Sequence, residues 1–394
     1  MKRFFPAVLG VIILAAGMAL TGCGSREYTK TIVLEDKAEE SVRNREYVVK
    51  NIKEYYYRGL GRDGGALAWE GNSENIAIIR RQASGYMYER VDVDKGKVLE
   101  KLQLESRPIR SMKISPDGAY LAYEVKKGDN VSLLLRDVKQ GVTTGLGDTV
   151  SPSYAWSGDG KRFFYSFMEN DTSDFYQANR FSIHCMDPEW HATLQVETVE
   201  GSPYTDKSIF SNIDGLKLFI KQEEFESNTE KQEKFKSNTE QNGGMAKYWI
   251  CQHDKKFLDF VGEDFEPLCF TGDGLFVRKK KGTVFLMEHL EKHEFMKQVL
   301  ETGEADVFFC KNGDHMFLLE REEETQQIQV QCVALEKGKV KDKWPLYKES
   351  FGDVIDVAIS PDDSAIAIKS CKHRGGKKYD YKVTVLEYNN MIFS

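Results

Sequence analysis

Ile114-Ser115-Pro116-Asp117-Gly118-Ala119-Tyr120-Leu121-Ala122-Tyr123 is the stretch that decides the fold. Proline presets φ for the first corner of a type I turn, aspartate suits the second, and glycine supplies the left-handed residue that closes the hairpin. The flanking apolar residues read as two antiparallel strands. The pattern returns as Ala155-Trp156-Ser157-Gly158-Asp159-Gly160-Lys161-Arg162-Phe163-Phe164-Tyr165 and as Ile359-Ser360-Pro361-Asp362-Asp363-Ser364-Ala365-Ile366. Asp363 departs from it by standing where glycine is expected. Weaker copies centre on Asn72, Asp214, Asp273 and Asp314. Taken in order, the seven anchors are 45, 42, 55, 59, 41 and 48 residues apart.

Behind each anchor lies a third strand with apolar alternation, read as Tyr86–Val93, Val131–Val138, Phe181–Met186, Tyr248–Gln252, Thr283–His289, Ile328–Leu335 and Tyr381–Tyr388. Turns such as Asp94-Lys95-Gly96 follow several of them, and then a fourth strand such as Val98–Leu104. Four short antiparallel strands every ~45 residues make the blade of a β-propeller. The expected fold is therefore all-β with seven blades; one misread degenerate unit would make the count six or eight. The seventh unit runs out at Ser394 with little left for a fourth strand. An N-terminal strand, from Thr29–Leu34 or Tyr47–Lys50, is expected to complete it and cover the open edge.

These copies resemble the WD40-like repeats of TolB-type propellers and the propeller domains of dipeptidyl peptidase IV and prolyl oligopeptidase relatives. The resemblance implies architecture over most of residues 60–394 and carries no activity with it, because propellers host unrelated functions.

The N-terminus reads as an address. Lys2 and Arg3 precede an uncharged apolar or small-residue run from Phe4 to Leu20, and Leu20-Thr21-Gly22-Cys23 matches the bacterial lipobox. Residues 1–22 are expected to be a lipoprotein signal peptide. Cys23 is the lipidated residue, 23–27 a tether and 28–394 the propeller. The protein is thus expected to be extracytoplasmic in a bacterial cell envelope, its membrane partner reached through the lipid on Cys23. Two or three acyl chains suffice, at ~0.8 kcal/mol per buried methylene.

Composition narrows the rest. The 394 residues carry 55 Lys+Arg against 62 Asp+Glu, a net charge of −7, and 41% hydrophobic content. That excludes a disordered chain and argues against a nucleic-acid partner. Six cysteines remain beside Cys23 (Cys185, Cys251, Cys269, Cys310, Cys332 and Cys371), none in a CxxC pair, and buried free thiols are expected. Residues 222–244 contain Ser227-Asn228-Thr229-Glu230 and its copy Ser237-Asn238-Thr239-Glu240, a polar duplicated insertion that reads as a mobile loop.

Familiar catalytic signatures are broken or missing. There is no GxSxG pentapeptide, and a hydrolase domain has no room beside seven blades. His289-Leu290-Glu291-Lys292-His293 misplaces the glutamate of a zinc-protease helix and falls at a strand turn. Asp92-Val93-Asp94-Lys95-Gly96 lacks the later ligands of a calcium loop and reads as a hairpin turn. The acidic run 169–174 has no metal-ligand spacing. His184, His191, His253 and His315 sit near turns and read as surface or satisfied histidines. The aromatic runs Tyr55-Tyr56-Tyr57 and Phe163-Phe164-Tyr165 read as packing residues. No metal, cofactor or catalytic residue is expected. The expected function is a binding or scaffolding module for an envelope protein or polymer; the alternative is a lyase- or glycosidase-type enzyme with carboxylates at the channel mouth.

Overall fold

A computed structural model describes residues 28–33, 47–60 and most of 67–390; within that last span the longest stretches outside the description are 169–179 and 224–244. Six sheets of four antiparallel strands follow one another along the chain, spanning 67–103, 109–149, 154–200, 207–263, 265–301 and 306–349. In each, strand order in space equals order in sequence, so strands that follow one another in the chain pair directly with one another. The seventh sheet is built from both chain ends. Its strands run Asp353–Ile359, Ala365–Gly375 and Lys378–Asn390, then Tyr47–Leu60, then Tyr28–Val33. The fold is a seven-bladed β-propeller.

Both candidate closing strands are used. Tyr47–Leu60 supplies the fourth strand, with Ile52 opposite Leu386 and Leu60 opposite Lys378. Tyr28–Val33 adds a fifth, with Tyr28 opposite Tyr56. The closing strand also runs ten residues beyond the Lys50 boundary read from sequence. The reason is alternation around the aromatic run: Tyr55 and Tyr57 turn inward and are buried, while Glu54 pairs with a buried lysine of the neighbouring strand. Tyr57 stacks on Tyr381 with ring centroids 5.0 Å apart. Phe163, Phe164 and Tyr165 are buried too, which bears out the packing reading of both aromatic runs.

The strand polarity sorts the loops into two faces. First-to-second and third-to-fourth turns lie at one face, hereafter the turn face. Second-to-third hairpins and the blade-to-blade linkers lie at the other. The core is a chain of apolar clusters between successive sheets, such as Phe317, Val330 and Cys332 of blade six against Ile366, Ile368 and Leu386 of blade seven. Of the six cysteines, five are buried and Cys185 is half-buried; all six are free thiols. Among the described residues, no helix is long and apolar enough to cross a membrane.

Candidate functional site

The repeat turns ring the mouth of the central channel, and their hydrogen bonds show what the repeated serine and aspartate do. Ser115 Oγ donates to Asp117 Oδ1 at 2.6 Å and accepts from the Tyr120 amide at 2.9 Å, while the Ala119 amide donates to Asp117 Oδ1. Ser157 and Asp159 repeat this at 2.6 Å, and Ser360 and Asp362 at 2.8 Å. Each aspartate therefore satisfies its own turn, the local use that makes the motif recur. The turns also nest. Gly118 has a φ of 73°, and a Cβ there would meet Glu70 Cγ at 2.7 Å.

Inside this ring the innermost strands wall a cavity of about 620 Å³. Its lining includes Trp69, Leu268, Phe308, Phe309 and Ile359, with Pro116 and Pro361 at the rim. The titratable residues among its described lining are Asp117 and Asp159, both committed to their turns.

A second polar centre lies at the turn face between blades six and seven. The sixth turn reads Cys310-Lys311-Asn312-Gly313-Asp314-His315, and its left-handed residue is Gly313, with a φ of 72°. Asp314 thus follows the left-handed residue, whereas Asp117 precedes Gly118, which corrects the anchor placed on Asp314. Cys310 stands in the serine slot, and its sulfur accepts the His315 amide at 3.4 Å as Ser115 Oγ accepts that of Tyr120. Asp314 is released from turn duty. Its Oδ1 lies 2.7 Å from His315 Nδ1 and accepts from the Cys310 thiol at 2.9 Å.

Asp363 of the seventh turn approaches from the other side. Its Oδ1 lies 3.0 Å from His315 Nε2 and accepts from the Tyr388 hydroxyl at 3.3 Å. Asp363 adopts a φ of 60°, so it holds the left-handed position itself. Its departure from glycine has a structural use: only a side chain there reaches the imidazole. His315 is fully buried, packed edge-on against Phe317 and Tyr388.

Burial opposes charge on this imidazole, but the bonds to Asp314, Asp363 and Cys310 outweigh it and push its pKa up to about 11. The hydrogen bond from His315, helped by that from Cys310, holds Asp314 at about 2 against a burial effect that opposes it. Burial raises the Cys310 thiol. Without a metal the group is an imidazolium between two carboxylates beside a neutral thiol. The ligand atoms of all four residues lie within 4.8 Å of one another, and they mix sulfur, nitrogen and oxygen. Such a set can lock two blades as an ion cluster or hold a transition-metal ion.

The other residues singled out from sequence take simpler roles. Asp92 caps its own hairpin through the Lys95 amide at 2.8 Å, and Asp94 reaches Lys53 of the closing strand at 2.6 Å. His184 sits 2.8 Å from Ser182 Oγ and stacks on Tyr165. Cys23, the acidic run 169–174, and His191, His253, His289 and His293 lie outside the described residues. In the insertion, Gln222 and Glu223 end the strand Lys217–Glu223, and 224–244 lies outside the description.

Residues 105–372 match the sequence profile of the prolyl oligopeptidase N-terminal β-propeller domain. The chain belongs to that family. In structure it is similar to the β-propeller domain of the trilobed protease from Pyrococcus furiosus, reported to have an open velcro topology. That match has a TM-score of 0.55 at 12% identity over 86% of this chain and 98% of the other. It is also similar to a prolyl endopeptidase, with a TM-score of 0.52 at 14% identity over 81% of this chain and 49% of the other. This chain thus spans about half the length of that endopeptidase. At these identities the likeness shows the fold alone. No curated protein matches the chain.

Proposed function

We propose that this chain is an extracytoplasmic lipoprotein, held at a bacterial membrane through Cys23, whose propeller binds an envelope protein or polymer at its channel mouth. The observation that carries the reading is where the two ends of the machine lie. Tyr28 pairs with Tyr56, near the end of the closing strand that meets Lys378, so Tyr28 lies at the hairpin-face end of its strand. The five residues from Cys23 to Tyr28 can span at most ~18 Å. On that same face the blade-seven hairpin exposes Lys372, Arg374, Lys377 and Lys378, a charge suited to anionic headgroups in an otherwise acidic chain. The channel mouth lies on the opposite, turn face. A rigid ring with its anchor on one face and a lined funnel on the other suits capture of a partner.

The test has two arms. Cys23→Ser should abolish acyl labelling and release the protein from membranes; undiminished labelling would overturn the anchoring. Photo-crosslinkers placed at Phe308 and Pro116 should capture an envelope partner that a crosslinker at Glu100, on an outer strand, does not. Equal capture from both positions would overturn the channel mouth as the binding surface. Turnover of a polysaccharide or peptide that is lost on Asp117→Asn or Asp159→Asn would replace binding by catalysis.

Family membership supports a second reading, in which the ring works as the propeller module of a peptidase. Proline-containing peptides cleaved only when the protein is combined with a hydrolase from the same cells would favour it.

A further inference from the structure

Four residues depart from the repeat at blades six and seven, and all four meet at one point. Cys310 replaces serine, Asp314 and His315 follow the sixth turn, and Asp363 replaces glycine at a left-handed position. Turn formation asks for none of these types. Serine serves the first slot at 115, 157 and 360, and glycine the left-handed slot at 118, 160 and 215.

We propose that Cys310, Asp314 and His315 bind a zinc ion, with Asp363 as the carboxylate that orients the imidazole. The donor chemistry fits: thiolate, imidazole and carboxylate together select a borderline metal such as Zn²⁺ over magnesium or calcium. The arrangement fits as well. Asp314 Oδ1 lies against both Cys310 Sγ, at 2.9 Å, and His315 Nδ1, at 2.7 Å, so the three donors face a common point. On the far side of the ring, Asp363 Oδ1 is 3.0 Å from Nε2, which leaves Nδ1 as the metal-facing atom. A carboxylate behind a metal-bound histidine fixes its tautomer and raises its basicity. The His315 amide directed at Sγ would stabilise a thiolate.

A tetrahedral zinc ion sets its donors about 3.3–3.6 Å apart. Room to open by that margin is available at Asp314, which is half exposed and also gives the ion an entry path. On binding, the thiol proton and the Nδ1 proton leave to solvent, and the metal takes their place. Three protein ligands leave a fourth position for water or a donor from a partner. The assignment departs from the sequence reading, which named no metal ligand, and it does not depend on the channel-mouth reading.

Reconstitution of the purified full chain with Co²⁺ tests this directly. One equivalent should bind and give a near-ultraviolet thiolate-to-cobalt charge-transfer band, which Zn²⁺ should then displace. Cys310→Ser should abolish the band and weaken zinc at least tenfold in competition with a chromophoric chelator. Asp363→Asn should keep the band and weaken zinc by about 10–100-fold. No band in the folded wild-type protein would overturn the site, and that measurement needs no variant to fold. A band that survives Cys310→Ser would also overturn it.

Discussion

Lys382→Met should cost the ring about 3–5 kcal/mol of stability. Lys382 is nearly fully buried between two carboxylates, 2.6 Å from Glu349 Oε1 and 3.3 Å from Glu54 Oε1. Burial works against its charge, but Glu349 and Glu54 hold the ammonium pKa above the usual lysine value. The three residues come from the closing strand, the last strand of blade six and the third strand of blade seven, so the triad ties the ends of the chain to the ring. Glu349 is fully buried and also accepts from Thr384 Oγ1 at 3.0 Å and the Phe351 amide at 2.8 Å. Methionine keeps most of the lysine stem and removes only the ammonium. The cost is therefore that of leaving buried carboxylates without their cation, about 3–5 kcal/mol. Against a native stability of about 5–15 kcal/mol, that is a large share.

Urea unfolding followed by tryptophan fluorescence measures it. The triple variant with Glu54→Leu and Glu349→Leu should recover most of the loss, because an apolar replacement of a whole buried ion cluster is often neutral. Destabilisation of under about 1 kcal/mol by Lys382→Met alone would show that water screens the triad. A triple variant no better than the single one would trace the loss to packing.

The Asp314–His315 pair should set the pH dependence of stability in the metal-free protein. Asp314 falls from 3.8 to about 2 on folding, so its contribution is present above pH 4 and lost as pH falls through 2; His315 rises from 6.5 to about 11, so its contribution is full below 6.5 and lost as pH rises toward 11. Melting temperatures of wild type should exceed those of His315→Gln most between pH 4 and 6.5, and a gap independent of pH would refute this. Asp363→Gly relieves left-handed strain of about 1 kcal/mol but strips a carboxylate from a buried imidazolium, a loss of about 3–5 kcal/mol; urea midpoints should fall. Gly59→Ala should also destabilise, since its Cβ would lie 2.7 Å from Tyr381 Cε2 in the seam, and thermal melts will show it. Deletion of residues 227–240 should leave the melting temperature unchanged, because loop closure varies by only ~0.6 kcal/mol per doubling of length.

What was legible in the sequence follows from the range of the interactions involved. Ser115, Asp117 and Gly118 recur because each solves a problem set within six residues, so the motif marks a turn wherever it stands. The third strands were legible for a similar reason, since alternation such as Ile328–Leu335 reports a buried face without naming what covers it. The closing strand was legible only in part. Tyr47–Lys50 is visible as apolar alternation, but Asn51–Leu60 holds its place through partners more than 300 residues away: Glu387 for Asn51 and Lys53, Lys382 for Glu54 and Tyr381 for Tyr57. No window of sequence contains those pairs.

The polar centre between blades six and seven was the least legible, and its own chemistry explains why. A turn can lose its serine and keep its shape, because a thiol in that slot still accepts the amide of residue 315. With the left-handed residue at Gly313, Asp314 falls just after the turn and is free of turn duty. Each change alone looks like decay of a degenerate repeat, and the Asp363 departure alone looks like a tolerated left-handed aspartate. They become one feature only across the blade boundary, where Asp314 and Asp363 approach opposite edges of a single buried imidazole. A repeat protein builds special sites in this way. The turns that keep the ring in register are over-determined by many weak bonds, so one or two can give up a residue to chemistry without opening the fold. Where such surrendered positions converge from neighbouring repeats, the departure is the signal, and blades six and seven are where this ring shows it.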